Sequence, residues 1–169
     1  MGTGLIEIRR ATHEDCRAIA RVHDAAWRLA YRGLIPGLEL ERMVQRRGPG
    51  WWSRALRRGS RVSVLVSGAQ VVGYSNFGGN RAKSLPYDGE IYEIYLDPVH
   101  QGLGFGQRLF EAARRDLARA GLEGLVVWAL KDNVGATGFY TALGGQPVAA
   151  SMEQFGTKSL DKIAYAWQR

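Results

Sequence analysis

Residues 89–110 read GEIYEIYLDPVHQGLGFGQRLF, and this stretch decides the fold. An apolar run from Ile91 to Leu96 has the composition of a β-strand and ends at Asp97-Pro98. A glycine-rich loop over residues 101–106 follows at once and opens into a helical pattern. A bare loop at a helix N-terminus collects backbone N–H groups and the positive end of the helix dipole. The stretch therefore predicts a binding site for a phosphate group.

Two well-known phosphate loops do not fit these residues. A Walker loop needs Lys-Ser or Lys-Thr after its last glycine, whereas Gln107 follows Gly106. A dinucleotide-binding loop needs G-x-G-x-x-G. Counting from Gly102 places Gln107 at the third glycine, and counting from Gly104 places Leu109 there. The pattern that remains is Gln-x-x-Gly-x-Gly, behind a strand that ends in Asp-Pro.

A second motif follows in residues 125–145, which read LVVWALKDNVGATGFYTALGG. A buried strand is predicted over Leu125–Leu130, and the spacing Asn-x-x-Ala-x-x-Phe-Tyr runs from Asn133 to Tyr140. In this order, the two motifs resemble the cofactor site of the GNAT superfamily of acyl-CoA-dependent N-acyltransferases. Residues 8–12, which lead into a helix, are also similar to the opening of that family. The resemblance spans most of the chain and is specific between residues 90 and 144.

The resemblance implies the GNAT fold. This is an α/β architecture with a mixed central sheet of about seven strands, flanked by about four helices. Two central parallel strands splay apart and the cofactor lies in the gap, which here would open between the strands ending at Leu96 and Leu130. The chain has 169 residues, of which 46% are hydrophobic, and this suits one GNAT domain over residues 1–169.

Patterns elsewhere in the chain agree with this fold. A helix is predicted to start near Thr12, where Asp15 completes a capping box, and to stop at Gly33. The break at residues 48–50 should separate two further helices, over 38–47 and 51–58. The remaining predicted strands are 5–10, the hairpin 61–67 and 70–77, and the last pair 148–155 and 162–167, joined by a loop around 156–158.

Composition excludes several classes of protein. No apolar run reaches the ~18–20 residues of a membrane span, and residues 1–5 lack the pattern of a secretory signal. Cys16 is the single cysteine, so an internal disulfide is excluded. His13, His23 and His100 do not have the spacing of metal ligands. A cytoplasmic protein without a metal and without a membrane partner is expected.

The formal net charge of +7 has two interpretations. Arginines cluster at residues 46–47, 54–61 and 114–115, which would suit nucleic acid. However, no aromatic residues alternate with them as platforms for bases, and the solvated faces of amphipathic helices account for the same pattern. No specific nucleic-acid binding is expected, and part of the charge can attract the phosphates of coenzyme A.

Acetyl transfer from a thioester to an amine makes few demands on side chains. It needs a neutral amine, a donor to the thioester carbonyl, a proton for the leaving thiolate and close positioning. The resemblance implies that Tyr140 is the general acid. Glu90, eleven residues before Gln101, and Glu93 are the two candidates for the base, and a salt-bridged structural role is the alternative for each. Strict alternation places the two glutamates on opposite faces of their strand, unless a bulge intervenes.

The resemblance also implies which residues hold acetyl-CoA, the expected acyl donor. Backbone groups at the end of the first motif's strand, at Tyr95 and Leu96, would pair with the pantetheine arm and polarise the thioester. Asn133 matches a position that contacts the cofactor and is equally suited to capping the next helix. The predicted phosphate loop consists of Gln101, Gly102, Leu103, Gly104, Phe105, Gly106 and Gln107.

Family members build their acceptor pocket after the first helix and at the last loop. Trp27 and Tyr31 lie four residues apart, on one helix face beside this region, and Tyr92 can face the same pocket. For Trp27, core packing is the favoured interpretation and a place in the acceptor pocket is the alternative. These residues are expected to bind a primary amine of a small molecule or peptide, and the family also admits a homodimer.

The sequence departs from the family pattern in two places. Gly135 and Gly138 weaken the helix that carries Tyr140 by roughly 1 kcal/mol each relative to alanine. Gly144-Gly145 stands where a glycine–aromatic pair is common. The functional hypothesis is an acetyl-CoA-dependent N-acetyltransferase that works by direct attack in a ternary complex. A non-catalytic CoA-binding module is the alternative.

Overall fold

Seven β-strands and five α-helices form the part of the chain that the computed structural model describes, residues 5–168. Residues 1–4 and 169, at the two ends of the expected domain, lie outside the described residues. The strands are β1 (Ile6–Arg10), β2 (Arg61–Ser67), β3 (Gln70–Gly79), β4 (Gly89–Leu96), β5 (Leu125–Leu130), β6 (Gln146–Phe155) and β7 (Lys158–Trp167). The helices are α1 (Cys16–Tyr31), α2 (Gly37–Arg46), α3 (Pro49–Arg57), α4 (Phe105–Arg119) and α5 (Val134–Ala142).

All seven strands belong to one mixed sheet with the order β1-β2-β3-β4-β5-β7-β6. Neighbours are antiparallel except β4 and β5, which are parallel. These two strands pair only at Gly89–Leu125 and Glu90–Val126, although both strands continue further. The strands therefore part beyond Glu90. The predicted gap between the strands that end at Leu96 and Leu130 is confirmed, as is the mixed α/β fold.

Helices cover the two faces of the sheet in separate groups. Helices α1, α2 and α3 pack on one face, where Ile19 and Trp52 meet Tyr74 of β3. Helices α4 and α5 pack on the other, where Phe110 and Tyr140 meet Ile91 of β4. We call these the α1 face and the α4 face. Each face thus has its own apolar core, and the gap between β4 and β5 lies between the two cores.

Most predicted element boundaries hold to within two residues, but the last strand is longer than predicted. It begins at Lys158 rather than at residue 162, because β6 and β7 form a tight hairpin that turns at Gly156-Thr157. Gly156 has a φ of 62°, which side-chain-bearing residues rarely adopt. The predicted loop around 156–158 is therefore a short turn. The predicted capping box is present, with Asp15 accepting the N–H of Thr12 at 2.8 Å.

Candidate active site

The glycine loop leaves β4 and arrives at the N-terminus of α4. Gly102 and Gly104 have φ values of 78° and 80°, so the loop uses the left-handed backbone that glycine permits. Among the described residues, the amides of residues 102–107 have no hydrogen-bond acceptor. Consecutive free amides at a helix N-terminus are what an anionic phosphate needs. The loop geometry therefore fits the predicted pyrophosphate site. Gln101 and Leu103, which were predicted with it, belong to the same loop.

Gly106 has a packing role as well. A Cβ atom on this residue would lie 3.2 Å from the ring of Phe139, so its absence lets α4 approach α5 closely. Leu109 and Phe110, one turn further along α4, are buried in the core of the α4 face. The start of α4 is therefore fixed against the sheet and against α5, and the loop amides are held in place.

The edge of β4 that faces β5 is free beyond Glu90. Tyr95 and Leu96 pair with Tyr74 and Gly73 on the β3 side only. A linear chain bearing amides, such as pantetheine, can pair with a strand edge of this kind. The free edge leads from the end of β4, beside the glycine loop, down to the point where the strands meet.

A bulge in β4 decides where the two candidate bases point. Ile91 pairs with Phe77 and Glu93 pairs with Asn76, so Tyr92 has no partner in the ladder. Ile91 and Ile94 consequently both pack on the α4 face. Glu90 and Glu93 therefore share the α1 face, and the opposite faces expected from strict alternation are wrong.

Glu90 is held at the last paired position of the two parallel strands. Only 1% of it is exposed, and its carboxylate accepts the backbone N–H of Arg81 at 3.0 Å and Nη2 of Arg81 at 2.8 Å. The carboxylate raises the pKa of the Arg81 guanidinium in return. Glu90 also lines a groove of about 560 Å³ that Trp128 of β5 borders. Glu90 therefore combines a charged partner with access to a groove.

Glu93 is also buried, with 8% of it exposed. Its Oε1 accepts Nη1 of Arg47 at 2.7 Å, and its Oε2 accepts the hydroxyl of Tyr74 at 3.0 Å. The guanidinium of Arg47 lies 3.9 Å from the centre of the Trp51 ring, a cation–π contact. Burial, and then the charge of Glu93, raise the pKa of Tyr74 well above its ordinary value. Both oxygens of Glu93 are therefore engaged by side chains that stay protonated at neutral pH.

Tyr140 lies on α5 with its ring in the core of the α4 face. The ring centre lies 6.0 Å from that of Trp167 and 6.5 Å from that of Phe110. No described residue is hydrogen-bonded to its hydroxyl group. Burial, and to a smaller extent the Tyr31 phenol, raise the pKa of Tyr140 far above its ordinary value. The hydroxyl therefore keeps its proton at neutral pH and is a hydrogen-bond donor.

The glycine pair after Tyr140 has a steric explanation. A Cβ atom on Gly145 would lie 2.6 Å from the ring of Trp167 and 2.9 Å from the carbonyl oxygen of Tyr140. The indole Nε1 of Trp167 also donates to the carbonyl oxygen of Leu143 at 3.0 Å. An aromatic ring from β7 thus fills the space beside this turn. Helix α5 runs from Val134 to Ala142 despite its two internal glycines.

The other predicted site residues have identifiable partners. Asn133 caps α5, accepting the N–H of Ala136 at 3.2 Å. The Tyr31 and Tyr95 hydroxyl groups lie 2.5 Å apart on the α1 face. Trp27 packs against Tyr31 with ring centres 5.0 Å apart.

Tyr92 fixes the neighbouring loop. Its hydroxyl donates to the carbonyl oxygen of Gly79 at 2.6 Å, and the Arg81 guanidinium lies 4.2 Å from the centre of its ring. Asn80 binds the same loop, since its Nδ2 lies within 3.3 Å of the carbonyl oxygens of Ala82, Leu85 and Tyr87. Tyr92 therefore contacts the residue that partners Glu90.

Sequence reasoning missed four residues of this region. Arg47 was assigned to a solvated helix face, which is wrong, because it pairs with Glu93 and lies against Trp51. Arg81, Trp128 and Lys162 border the groove beside Glu90. A buried glutamate in an apolar strand does call for a cation. However, the sequence does not indicate which of many arginines supplies it.

Residues 5–168 hold neither a metal-binding cluster nor a membrane-spanning helix. These residues contain no group of three or more His, Cys, Asp or Glu side chains placed to hold a metal ion. None of the helices described is long and apolar enough to span a bilayer.

Free amides at a helix N-terminus, beside two parted parallel strands, are the features that the resemblance to the GNAT acyltransferases implies. A family model described as the Acetyltransferase (GNAT) family matches residues 19–144. The chain belongs to this family of acyltransferases.

Two relatives are similar to this chain over nearly its whole length. An uncharacterized N-acetyltransferase of Bacillus subtilis, YuaI, is 29% identical over 96% of this chain and 93% of its own length. The L-amino acid N-acyltransferase MnaT of Escherichia coli is 28% identical over 90% of this chain and 86% of its own. The crystal structure of the PaiA N-acetyltransferase of Thermoplasma acidophilum with coenzyme A superposes with a TM-score of 0.74. It is 15% identical and covers 94% of this chain and 98% of that one, which supports the fold.

Proposed function

We propose that this protein is an acetyl-CoA-dependent N-acetyltransferase that acts on a primary amine of a small molecule or peptide. The observation that carries the proposal is the free run of amides at residues 102–107, which leads into the free edge of β4. The run suits the pyrophosphate of coenzyme A, and the edge suits its pantetheine arm. The thioester would then lie near Glu90, where the strands meet.

The reaction proposed is direct attack of the amine on the thioester in a ternary complex. Acetyl-CoA supplies the activated acyl group, and the backbone near Tyr95 and Leu96 would hold it and polarise its carbonyl. Asn133, at the start of α5 on the far side of the gap, would contact the same ligand. No nucleophilic residue of the protein takes part, so an acceptor must be bound together with the donor.

Glu90 is the base that we favour. It lines the groove from which an acceptor can approach, and it would take the amine proton directly or through a water molecule. Glu93 stands as the alternative. Both oxygens of each glutamate are engaged, those of Glu90 by Arg81 and those of Glu93 by Arg47 and Tyr74. The support for Glu90 is thus its access to the groove.

Tyr140 is the proposed general acid. Its hydroxyl has no competing partner among the described residues and stays protonated, because burial raises its pKa. It would donate to the sulfur as the bond to the acyl carbon breaks. We assign Trp27, Tyr31 and Tyr92 to the acceptor region because the resemblance implies it, although none of them lines the groove beside Glu90. The proposal includes one catalytic domain over residues 1–169 that works in the cytoplasm.

A turnover screen with acetyl-CoA tests the function. Release of free CoA thiol is followed over panels of amino acids, polyamines, aminoglycosides and peptides. Isothermal calorimetry measures acetyl-CoA binding in parallel. Thiol release that depends on the amine supports the enzyme. Acetyl-CoA binding without turnover of any acceptor would instead support the CoA-binding module, and the absence of binding would reject both.

A further inference from the structure

The groove beside Glu90 is lined by more charged side chains than the transfer reaction itself requires. It lies on the α1 face, between the loop that carries Arg81 and the β6–β7 hairpin. Its volume of about 560 Å³ is within the usual range for small-molecule sites. The charged and aromatic side chains that line it are Arg81, Glu90, Trp128, Glu153 and Lys162.

Two ion pairs stand in this groove, one on each side. Nη2 of Arg81 lies 2.8 Å from Glu90, and Nζ of Lys162 lies 3.7 Å from Glu153. The four groups comprise two cations and two anions, so the lining is formally neutral. Neutral cation–anion pairs complement a ligand that carries both charges, whereas a polycation would be repelled by Arg81 and Lys162.

Both cations lie against an aromatic ring and still have donors to spare. The Arg81 guanidinium lies over the Tyr92 ring and uses Nε and Nη2 on Glu90, and no described residue is bonded to its Nη1. The Lys162 ammonium lies 4.9 Å from the centre of the Trp128 ring, and its contact with Glu153 is longer than a hydrogen bond. Each cation can therefore take an anionic oxygen without losing its present partner.

We infer that the groove binds an acceptor in which a primary amine and a carboxylate lie close together, as in an amino acid. The carboxylate would bind between Lys162 and Nη1 of Arg81, and the amine would point towards Glu90. The flat apolar surface of Trp128 suits an apolar side chain. This inference rests on the proposed function, because it assigns the substrate class of the same site.

The test compares apolar amino acids with their amino alcohols. Leucine, methionine and phenylalanine are paired with leucinol, methioninol and phenylalaninol, which replace the carboxylate by a neutral group. A charge-assisted contact should raise kcat/KM of the best acid over its alcohol by about 10-fold or more. Lys162→Gln should bring this ratio close to one. Lys83→Gln, in the exposed part of the Arg81 loop and outside the groove lining, should leave the ratio as in the wild type.

Binding separates this inference from the proposed function. Calorimetry on the CoA-bound protein should show tighter binding of the acid than of the alcohol, and Lys162→Gln should remove that difference. Equal affinities, or a ratio that Lys162→Gln does not change, would overturn the inference even if the alcohols are acetylated. Selective binding of the acid without any acetyl transfer would support the groove and reject the enzyme.

Discussion

Nη1 of Arg47 lies 2.7 Å from Oε1 of Glu93. The pair joins the end of α2 to the middle of β4, because Arg47 directly follows the helix and Glu93 follows the bulge. Only 7% of the Glu93 side chain and 24% of the Arg47 side chain are exposed. The two charges are therefore largely removed from water, and each depends on the other.

The first prediction concerns the stability that depends on this pair. Arg47→Met should lower the free energy of unfolding by about 2–4 kcal/mol, because it leaves a buried carboxylate with the Tyr74 hydroxyl alone. Arg42→Met is the matched control. Its ion pair with Glu39 is surface-exposed, and its loss should cost less than about 1 kcal/mol. Urea denaturation measures both variants, and equal losses would show that the Arg47 pair is no stronger than a surface pair.

The same pair shows what the sequence can and cannot predict. The glycine loop was predictable, because its motif is local and short. The parted strands were predictable only through the family resemblance, since residue periodicity does not show a splay. The partner of Glu93 was not, since Arg47 is 46 residues away and was one of a group of similar arginines. Contacts between distant segments are set by how helices pack on the sheet, and residue spacing does not encode them.

Strand register and turn length account for the other two differences between prediction and structure, the face of Glu93 and the start of β7. One unpaired residue, Tyr92, is enough to turn Glu93 to the face that Glu90 occupies. Nothing in the alternation of residues 90–96 requires that bulge. The early start of β7 has a similar origin. Residues 158–161 pair with β6 although they lack an apolar alternation, because the tight turn at Gly156 brings the strands into register.

The second prediction concerns the pH dependence of folding and His23. Its ring is fully buried against Trp27, with ring centres 4.6 Å apart. Burial, and then the charge of Arg47, lower its pKa to about 3 from the ordinary 6.5. Between pH 6.5 and 3, His23 is therefore protonated in the unfolded chain and neutral in the folded protein. Stability should fall by about 1.4 kcal/mol for each pH unit from 6.5 down towards 3 because of this residue.

His23→Leu should remove this part of the slope, whatever its effect on stability at pH 7. His13→Leu, which replaces an exposed histidine, should leave the slope as in the wild type. Denaturant unfolding at several pH values between 4 and 7 gives the slopes. A wild-type slope that persists in His23→Leu would assign the pH dependence to other groups.

The third prediction concerns the phosphate loop. Gly104→Glu should abolish acetyl-CoA binding, because it places bulk and negative charge beside the free amides at the start of α4. Gly121→Glu is a matched control, since Gly121 has a φ of 79° against 80° for Gly104 and lies at the other end of α4. Both variants carry the same backbone strain, but only one should lose affinity in calorimetry. Unchanged binding in a folded Gly104→Glu would place the pyrophosphate elsewhere.

The fourth prediction concerns the proposed acid. Tyr140→Phe keeps the ring in its core position and removes only the hydroxyl, so turnover should fall about 10²-fold while acetyl-CoA affinity changes little. Tyr165→Phe removes a hydroxyl from the same aromatic cluster, with ring centres 6.2 Å apart, and should retain turnover. Steady-state kinetics with a verified acceptor measures both. If Tyr140→Phe keeps the wild-type rate, the leaving thiolate takes its proton from another source.

The last prediction separates the two glutamates. If Glu90 takes the amine proton, Glu90→Gln should lower kcat/KM by about 10²-fold or more and remove the acidic limb of its pH profile, because an amide cannot accept the proton. Glu93→Gln should keep that limb, since its neighbours Arg47 and Tyr74 can still bind the amide oxygen. Both substitutions break an ion pair, so a general loss of stability would affect the two variants alike and would not change the pH profile of one alone. Thermal melting and acetyl-CoA calorimetry check that both variants are folded and bind the donor. Loss of the acidic limb in Glu93→Gln instead would assign the base to Glu93, and the Arg47 guanidinium would then have to withdraw before the amine could approach.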